Sequence, residues 1–246
     1  MIQHNHSNYF PHALLYYNLL MRKKPAFDVV YEDNHVILVI KPFNMPTQSD
    51  VSNDPDLLTA VKERIKTEHE KPGNVFLGMV HRLDRPVGGL VLFAKTSKAA
   101  SRLSAQLRDR EIGKEYMACV IGTPQNDSAE LVHYLIKDKN KNRVTASKTP
   151  REGAKKAELR YETLRSAKGM SLLKVTPLTG RSHQIRAQLA AIGHPIAGDL
   201  KYGARSPLPG KNILLYACGI TFTHPVKNEE MSFDAPLPTD WPLRVL

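Results

Sequence analysis

Three short segments of the chain combine residue types that could do chemistry. The first, from His81 to Leu90, reads HRLDRPVGGL, so that Asp84 lies between two arginines. The second, from Thr179 to Arg186, reads TGRSHQIR, and the third, from Gly193 to Gly203, reads GHPIAGDLKYG. A carboxylate held among cations can act as a nucleophile or a base, and arginines at the start of a helix favour an anion. These segments are therefore the candidate sites of a reaction on an anionic substrate.

Each segment also has an ordinary structural interpretation. The first could be a solvent-exposed cluster of ion pairs, and the second a capped helix with a cationic surface. The glycines of the third could serve turns alone. Residue types by themselves leave these alternatives open.

Several other reaction classes lack their signatures. The chain has no glycine-rich nucleotide loop, no G-x-S-x-G and no H-E-x-x-H pattern. His183 and His194 have no cysteine partners at ligand spacing, which argues against zinc. Cys119 and Cys218 lie in apolar runs, where free cysteine is usually a core residue. We expect no metal site, and the small number of cysteines is typical of a protein in a reducing compartment.

The charge balance indicates the partner. Among 246 residues, 35 Lys and Arg face 24 Asp and Glu, which gives a net charge of +11 and a pI near 9.6. Such an excess attracts phosphate, so nucleic acid leads the possible partners, ahead of an anionic membrane surface or an acidic protein. No apolar run approaches the roughly 20 residues that span a bilayer, and no signal peptide is recognisable. We expect a cytoplasmic protein without a membrane partner.

The elements that must position these segments are mostly strands. Helical spacing predicts only three helices: 57–70, begun by a cap at Asp54 with Pro55, then 97–110 and 183–192. Apolar and alternating runs predict strands around the turn at 32–34 and at 75–80, 89–95, 115–122, 131–136, 143–147, 157–164, 170–178 and 212–222. Many strands and few helices, without a βαβ rhythm, predict an α+β fold with a large mixed or antiparallel central sheet.

The domain organisation is expected to be simple. Residues 1–25 differ in composition from the rest and carry three of the ten histidines, which suggests an N-terminal arm. Residues 26–246 show no break in composition, so we expect them to form one catalytic domain.

The ordered motifs resemble those of the RluA-type RNA pseudouridine synthases. HRLDRPVGGLVLFAKT (81–96) is similar to the catalytic motif of that family, and KEYMA (114–118) to the strand that follows it. LTGRSHQIRAQLAAIGHPIAGDLKYG (178–203) is similar to the third motif almost residue for residue. The resemblance runs from about Phe27 to the C-terminus, with the motifs in the family's order. It implies an α+β catalytic domain of the pseudouridine synthase type.

The resemblance assigns the chemistry to three residues. It implies that Asp84 is the essential aspartate and that Arg186 pairs with it. It also implies that Tyr116 stacks on the target base and is a candidate to assist proton removal at C5. Pseudouridine formation breaks the N-glycosidic bond of a uridine, turns the base and rejoins it through C5, which needs no cofactor. Whether Asp84 attacks the sugar C1′, attacks the base C6 or removes a proton from the sugar stays open at this stage. Ile185 and Leu189 are expected to face the core.

The resemblance and the charge pattern together predict the RNA contacts. Arg82 corresponds to the residue that holds the RNA around the vacated base, and Arg181 is expected to meet phosphate. Lys114 is a further candidate, while His81 is ambiguous between an RNA contact and loop scaffolding. Lys41 and the basic stretch 137–156 are also candidates for phosphate contacts.

Two departures from the family pattern stand out. Val87-Gly88 replaces the frequent Thr-Ser of the catalytic motif, which removes hydroxyl groups but keeps a small residue. Residues 1–25 are too short for the S4 RNA-binding domain of many relatives, so RNA recognition falls mostly to the catalytic domain.

The substrate is left open within structured RNA. Ribosomal large-subunit RNA and tRNA are both expected targets, with a slight preference for the former, and the enzyme is expected to act as a monomer. Two other readings compete: a non-catalytic RNA-binding protein or RNA chaperone that keeps the fold, and a glycosylase that releases uracil.

Overall fold

The computed structural model describes residues 27–70, 72–138, 140–239 and 241, so the expected N-terminal arm lies outside the described residues. In this part of the chain, no helix is both long and apolar enough to cross a membrane.

Strands dominate the described fold. The sheet has the order β1-β2-β4-β10-β5-β9-β8-β6-β7, and two further strands, β3 and β11, pair with β4 and β10. The strand bounds are β1 Asp28–Glu32, β2 Val36–Lys41, β3 Gly78–Met79, β4 Gly88–Ala94, β5 Gly113–Ile121, β6 Ser128–Asp138, β7 Arg143–Ser147, β8 Lys155–Ala167, β9 Met170–Pro177, β10 Leu215–Thr223 and β11 Glu230–Asp234. β10 runs parallel to β4 and antiparallel to β5 and β11. The prediction of an α+β fold with a mixed sheet is confirmed.

Three α-helices flank the sheet in the described residues: α1 Leu57–Glu68, α2 Ser97–Asp109 and α3 Gln184–Ala191. Each was predicted, but the predicted cap of α1 is wrong. Asp56 caps the helix instead, because its carboxylate accepts a hydrogen bond from the Thr59 amide at 3.0 Å.

Two strand predictions also need correction. The run 75–80 forms only the two-residue strand β3, and the strand expected from 212 begins at Leu215. The short strand β11 was not predicted at all. It alternates exposed and half-buried residues, which is a weak signal in a segment of five residues.

The core lies where the central strands meet the helices. Every residue of β4 is buried, which fits its almost wholly apolar sequence GGLVLFA. Both cysteines are buried and free, as expected for core residues. Ile185 and Leu189 of α3 are likewise buried, as predicted.

The strand order places the three chemical segments together. The loop that carries Asp84 leads directly into β4, whereas Tyr116 lies on β5. β10 lies between these two strands, and α3 brings Arg186 to the same region. Residues from distant parts of the chain therefore meet across the β4-β10-β5 junction.

Candidate active site

Two side chains from outside the loop that carries Asp84 bind its main chain. Thr47 Oγ1 donates to the Leu83 carbonyl at 2.9 Å and accepts from the Leu83 amide at 3.2 Å. The Lys41 ammonium donates to the Arg85 carbonyl at 3.1 Å. Asp84 therefore lies between two residues whose main chain is bound by Lys41, at the end of β2, and by Thr47, in the segment that follows β2.

Lys41 is not available for the phosphate contact that was predicted from its charge. The side chain is fully buried, and its ammonium also donates to the carbonyls of Pro42 and Met45 at 2.9 and 2.7 Å. Burial lowers the pKa of Lys41 to about 7, against the opposing effect of the Asp84 charge. Its role in the structure is to bind main-chain carbonyls.

Glycine is required where this loop enters β4. Gly89 has φ +116°, and a Cβ at this position would collide with the backbone of Ala217 on β10. At Gly88, a Cβ would lie 3.1 Å from the Phe43 ring. The Val87-Gly88 departure from the family pattern thus places a small residue against an aromatic ring.

His81 anchors the start of the loop. Its Nε2 accepts a hydrogen bond from the Leu92 amide at 3.1 Å, and burial together with the charge of Lys114 lowers its pKa to about 3. The ring is therefore neutral and joined to β4. This geometry favours scaffolding, and the RNA contact stays a prediction.

Arg186 joins two carboxylates beneath the loop. Its Nη1 donates to Asp84 Oδ2 at 3.0 Å, while Nε and Nη2 donate to the two oxygens of Asp199 at 2.7 and 2.9 Å. Burial alone would lower the pKa of Arg186, but the hydrogen bonds and charges of Asp199 and Asp84 raise it above its usual value. The guanidinium is permanently charged, and it holds both carboxylates by charge-assisted hydrogen bonds.

The segment before α3 is pinned to β8. Gln184 accepts hydrogen bonds from the Thr179 hydroxyl and the Arg181 amide at 2.7 and 3.0 Å, and its Nε2 donates to the Glu158 carbonyl at 2.9 Å. His183 opens the helix with φ +50° and makes no capping bond with its side chain. The side chain of Gln184 thus ties the segment that precedes α3 to β8.

A cleft of about 830 Å³ contains all seven predicted site residues. Its lining includes His81, Arg82, Asp84, Lys114, Tyr116, Arg181 and Arg186. The volume lies within the roughly 300–1,000 Å³ typical of small-molecule sites, so an extruded nucleotide can be accommodated.

The basic residues of the cleft differ in exposure. Arg82 and Arg181 are exposed, and Arg181 Nε donates to the Lys156 carbonyl at 3.3 Å. Lys114 is half-buried, and its pKa is lowered by burial. Arg108 and Arg110 at the end of α2 also line the cleft, although neither was singled out from the sequence. Their charge alone gives no signal, because exposed arginines are common at helix ends.

Tyr116 is half-buried beside Asp84. Burial, the negative charge of Asp84 and the proximity of Cys218 raise the pKa of Tyr116 well above its usual value. Its hydroxyl therefore keeps its proton at neutral pH, and its ring is a flat surface within the cleft.

Comparison with known proteins connects this site to one family. A family model described as RNA pseudouridylate synthase matches residues 35–191. The chain is 35% identical over 226 residues to a dual-specificity RNA pseudouridine synthase RluA from Haemophilus influenzae, covering 91% of this chain and 98% of the relative. It is 33% identical over 217 residues to the ribosomal large subunit pseudouridine synthase C of Escherichia coli, covering 85% of this chain and 66% of that protein.

Solved structures share the fold. The human RNA pseudouridylate synthase domain containing 4 superposes with a TM-score of 0.72 at 19% identity, with 93% of each chain covered. The corresponding human protein numbered 1 superposes with a TM-score of 0.70 at 22% identity, covering 87% of this chain and 84% of that one.

Proposed function

The chain belongs to the RNA pseudouridylate synthase family and isomerises uridine in RNA to pseudouridine; we propose that Asp84 is the residue that carries out this reaction. The observation that supports the proposal is the contact between Asp84 and the buried Arg186 inside the cleft. Arg186 binds one oxygen of the Asp84 carboxylate and places a positive charge beside it, so the carboxylate is oriented for a reaction in the cleft.

Tyr116 is proposed to be the platform for the base. The ring lies in the cleft with Asp84, and a base can stack on it after the glycosidic bond breaks. Because the Tyr116 hydroxyl keeps its proton, stacking is a better role for it than proton removal.

The basic residues that line the cleft are proposed to stabilise the extruded uridine. Flipping a nucleotide out of a stack costs a few kcal/mol, which contacts to the base and the backbone must offset. We assign Arg82 to the position that the base vacates, and Arg181 and Lys114 to phosphates. Both arginines are exposed and line the cleft, as this assignment requires. His81 is assigned to scaffolding.

The proposed substrates are ribosomal large-subunit RNA and tRNA. The relative from Haemophilus influenzae carries dual specificity in its name, and that from Escherichia coli is named for the large ribosomal subunit. The residues 26–246 are proposed to act as one catalytic domain, as a monomer and without a cofactor.

Transcriptome-wide mapping of pseudouridine tests these assignments. Three strains are compared: one with the wild-type protein, one without it and one with Asp84→Asn. We expect the same sites to disappear in both altered strains, which would identify the RNA and place Asp84 in the chemistry. If Asp84→Asn kept every site that the deletion loses, the assignment of Asp84 would be wrong.

A further inference from the structure

Two buried residues lie beneath the site without a role in the proposed chemistry. Asp199 and Tyr202 belong to the Gly193–Gly203 loop, and their exposed fractions are 1% and 5%. Neither lines the cleft in which the base would lie. Both contact residues that do line it, so their effect must pass through those residues.

Asp199 fixes the orientation of the Arg186 guanidinium. The fork from Nε and Nη2 to the two Asp199 oxygens leaves Nη1 directed at Asp84 Oδ2. The Tyr202 ring lies against the same guanidinium, with its centroid 4.9 Å from the Arg186 Cζ. Arg186 is therefore held from one edge and one face.

The Tyr202 hydroxyl determines where the proton of His183 lies. The hydroxyl oxygen accepts a hydrogen bond from the Val144 amide at 2.9 Å and lies 2.8 Å from His183 Nδ1. Among the described residues, Nδ1 is the one acceptor within reach of the phenolic proton. Because the Val144 amide already donates to this oxygen, we assign the phenolic proton to the contact with Nδ1, and this assignment places the imidazole proton on Nε2.

The His183 Nε2 proton faces the same oxygen that Arg186 binds. His183 Nε2 lies 3.8 Å from Asp84 Oδ2, and Arg186 Nη1 lies 3.0 Å from it. Among the residues that the structure describes, none donates a hydrogen bond to Asp84 Oδ1.

We propose that Asp199 and Tyr202 are positioning residues which hold Arg186 and His183 against Oδ2 of Asp84, so that Oδ1 is the oxygen that reacts. The inference rests on the proposed role of Asp84. Asp199 and Tyr202 then act in the same way, because each directs a donor to Oδ2 of Asp84. Oδ1 keeps its lone pairs for the substrate.

The charges around His183 keep the imidazole neutral. Burial lowers the pKa of His183, and the cations Arg186, Lys201 and Lys137 lower it further, while Asp84 opposes them. Arg143 also faces this cluster, with its Cζ 5.7 Å from the centroid of the Tyr202 ring. Loss of the Tyr202 hydroxyl would remove the hydrogen bond to unprotonated Nδ1, so the pKa of His183 should rise and the fraction of imidazolium paired with Asp84 should increase at lower pH.

Nitrogen NMR of the folded protein tests the tautomer directly. In ¹⁵N-histidine-labelled wild-type protein near neutral pH, we expect His183 to carry its proton on Nε2, with Nδ1 unprotonated. A His183→Asn variant assigns the resonances. A proton on Nδ1, or on both nitrogens, would overturn the proposal without any need for a Tyr202 variant to fold.

Kinetics test the effect on the reaction. Tyr202→Phe and Asp199→Asn are each expected to lower the single-turnover rate on substrate RNA about tenfold or more, with RNA affinity within about twofold of wild type. For Tyr202→Phe, the acid limb of the pH–rate profile is expected to move to higher pH.

Tyr161→Phe is the matched control. Tyr161 is 6% exposed and donates to the Asn126 carbonyl at 3.3 Å, so this variant also loses one buried phenolic hydrogen bond. A rate loss in Tyr202→Phe that merely matches that of Tyr161→Phe, or an unchanged pH profile, would overturn the inference. Activity that survives in Asp84→Asn would instead refute the proposed role of Asp84. The NMR measurement of the His183 tautomer does not depend on that outcome, so the two failures can be distinguished.

Discussion

The protein contains two clusters of buried or half-buried charge whose stoichiometries are opposite. At the end of β1, the single carboxylate of Glu32 faces three bases. Its Oε2 is 2.7 Å from Arg64, and its Oε1 is 2.6 Å from Lys95 and 3.3 Å from His69. Both oxygens of Glu32 are occupied.

Beneath the cleft, one guanidinium faces two carboxylates. Arg186 directs two of its nitrogens to Asp199 and a third to Asp84, and it binds only Oδ2 of the latter. The two clusters differ in which group is in excess. Around Glu32 there are more basic groups than carboxylates, whereas two carboxylates share the one guanidinium of Arg186. A carboxylate whose lone pairs are all engaged stabilises the fold, whereas a carboxylate with one free oxygen can still react.

Removing the shared cation should have the largest effect. Arg186→Met leaves the buried carboxylate of Asp199 without its partner and removes the guanidinium from half-buried Asp84. Breaking a buried ion pair in this way typically costs about 3–5 kcal/mol of unfolding free energy. We also expect a loss of about 10²–10³-fold in the rate of pseudouridine formation. Urea denaturation and single-turnover assays on substrate RNA measure the two effects.

The double variant Arg186→Met/Asp199→Asn separates stability from chemistry. It removes one of the two orphaned charges, so it should recover part of the lost stability and none of the activity. If the double variant also regained the rate of pseudouridine formation, the Arg186 cation would not be needed for the reaction. The proposed difference between the two clusters would then be wrong.

Lys41→Met examines a buried cation that has no carboxylate partner in contact. Three carbonyls lose their donor, and we expect a loss of about 2 kcal/mol in unfolding free energy. Wild-type stability should also rise with pH from about 7 upwards, because the folded-state pKa of about 7 lies below the ordinary 10.5 and the unfolded chain holds more protons between these values.

Denaturation at about pH 7 and pH 9 tests this dependence. The gap between wild type and Lys41→Met should widen at the higher pH, since the variant lacks the titrating group. A constant gap would mean that Lys41 is not titrating in the folded state over this range.

Glu32→Gln should affect stability alone. Arg64, Lys95 and His69 together overcome the opposing effect of burial and lower the pKa of Glu32 to about 2 from 4.5. Its stabilisation is therefore complete above pH 4.5 and is lost as the pH falls towards 2. We expect the variant to lose about 1–2 kcal/mol at neutral pH, a difference that shrinks on acidification, with normal activity. Reduced activity at full stability would contradict a purely structural role.

The smallest effect is expected at an exposed pair. Arg160 Nε lies 3.0 Å from Glu130, and both side chains are largely exposed. Arg160→Met should change the unfolding free energy by less than about 0.5 kcal/mol and leave the rate unchanged. This variant is the reference for arginine loss, and a large effect would show that exposure is a poor guide to the value of these charges.

The sequence was sufficient to predict the site where chemistry and spacing coincide. The α+β class and the three helices followed from periodicity, and the ordered motifs gave the seven predicted residues that the structure places in one cleft. Asp84 and Arg186 are 102 residues apart, and only the resemblance of both segments to one family predicted that they meet.

The supporting residues could not be found in this way. Thr47 and Lys41 act through main-chain atoms of the Asp84 loop, and Tyr202 acts through the amide of Val144 and the ring of His183. Such hydrogen bonds depend on tertiary geometry and leave no local pattern. Lys41 shows that charge alone is a poor predictor of RNA contacts, because this lysine was expected to bind phosphate but is fully buried.

The position of β10 in the sheet affects the order in which the protein can fold during synthesis. β10 spans Leu215–Thr223, yet it lies between β4 and β5, whose residues leave the ribosome about a hundred positions earlier. At roughly 5–20 residues per second, the ribosome needs several seconds to supply the strand that joins them. Until then, the Asp84 loop and the strand that carries Tyr116 belong to two separate partial sheets. The seam between these two partial sheets can close only after β10 has been made, so the active site is completed late in synthesis.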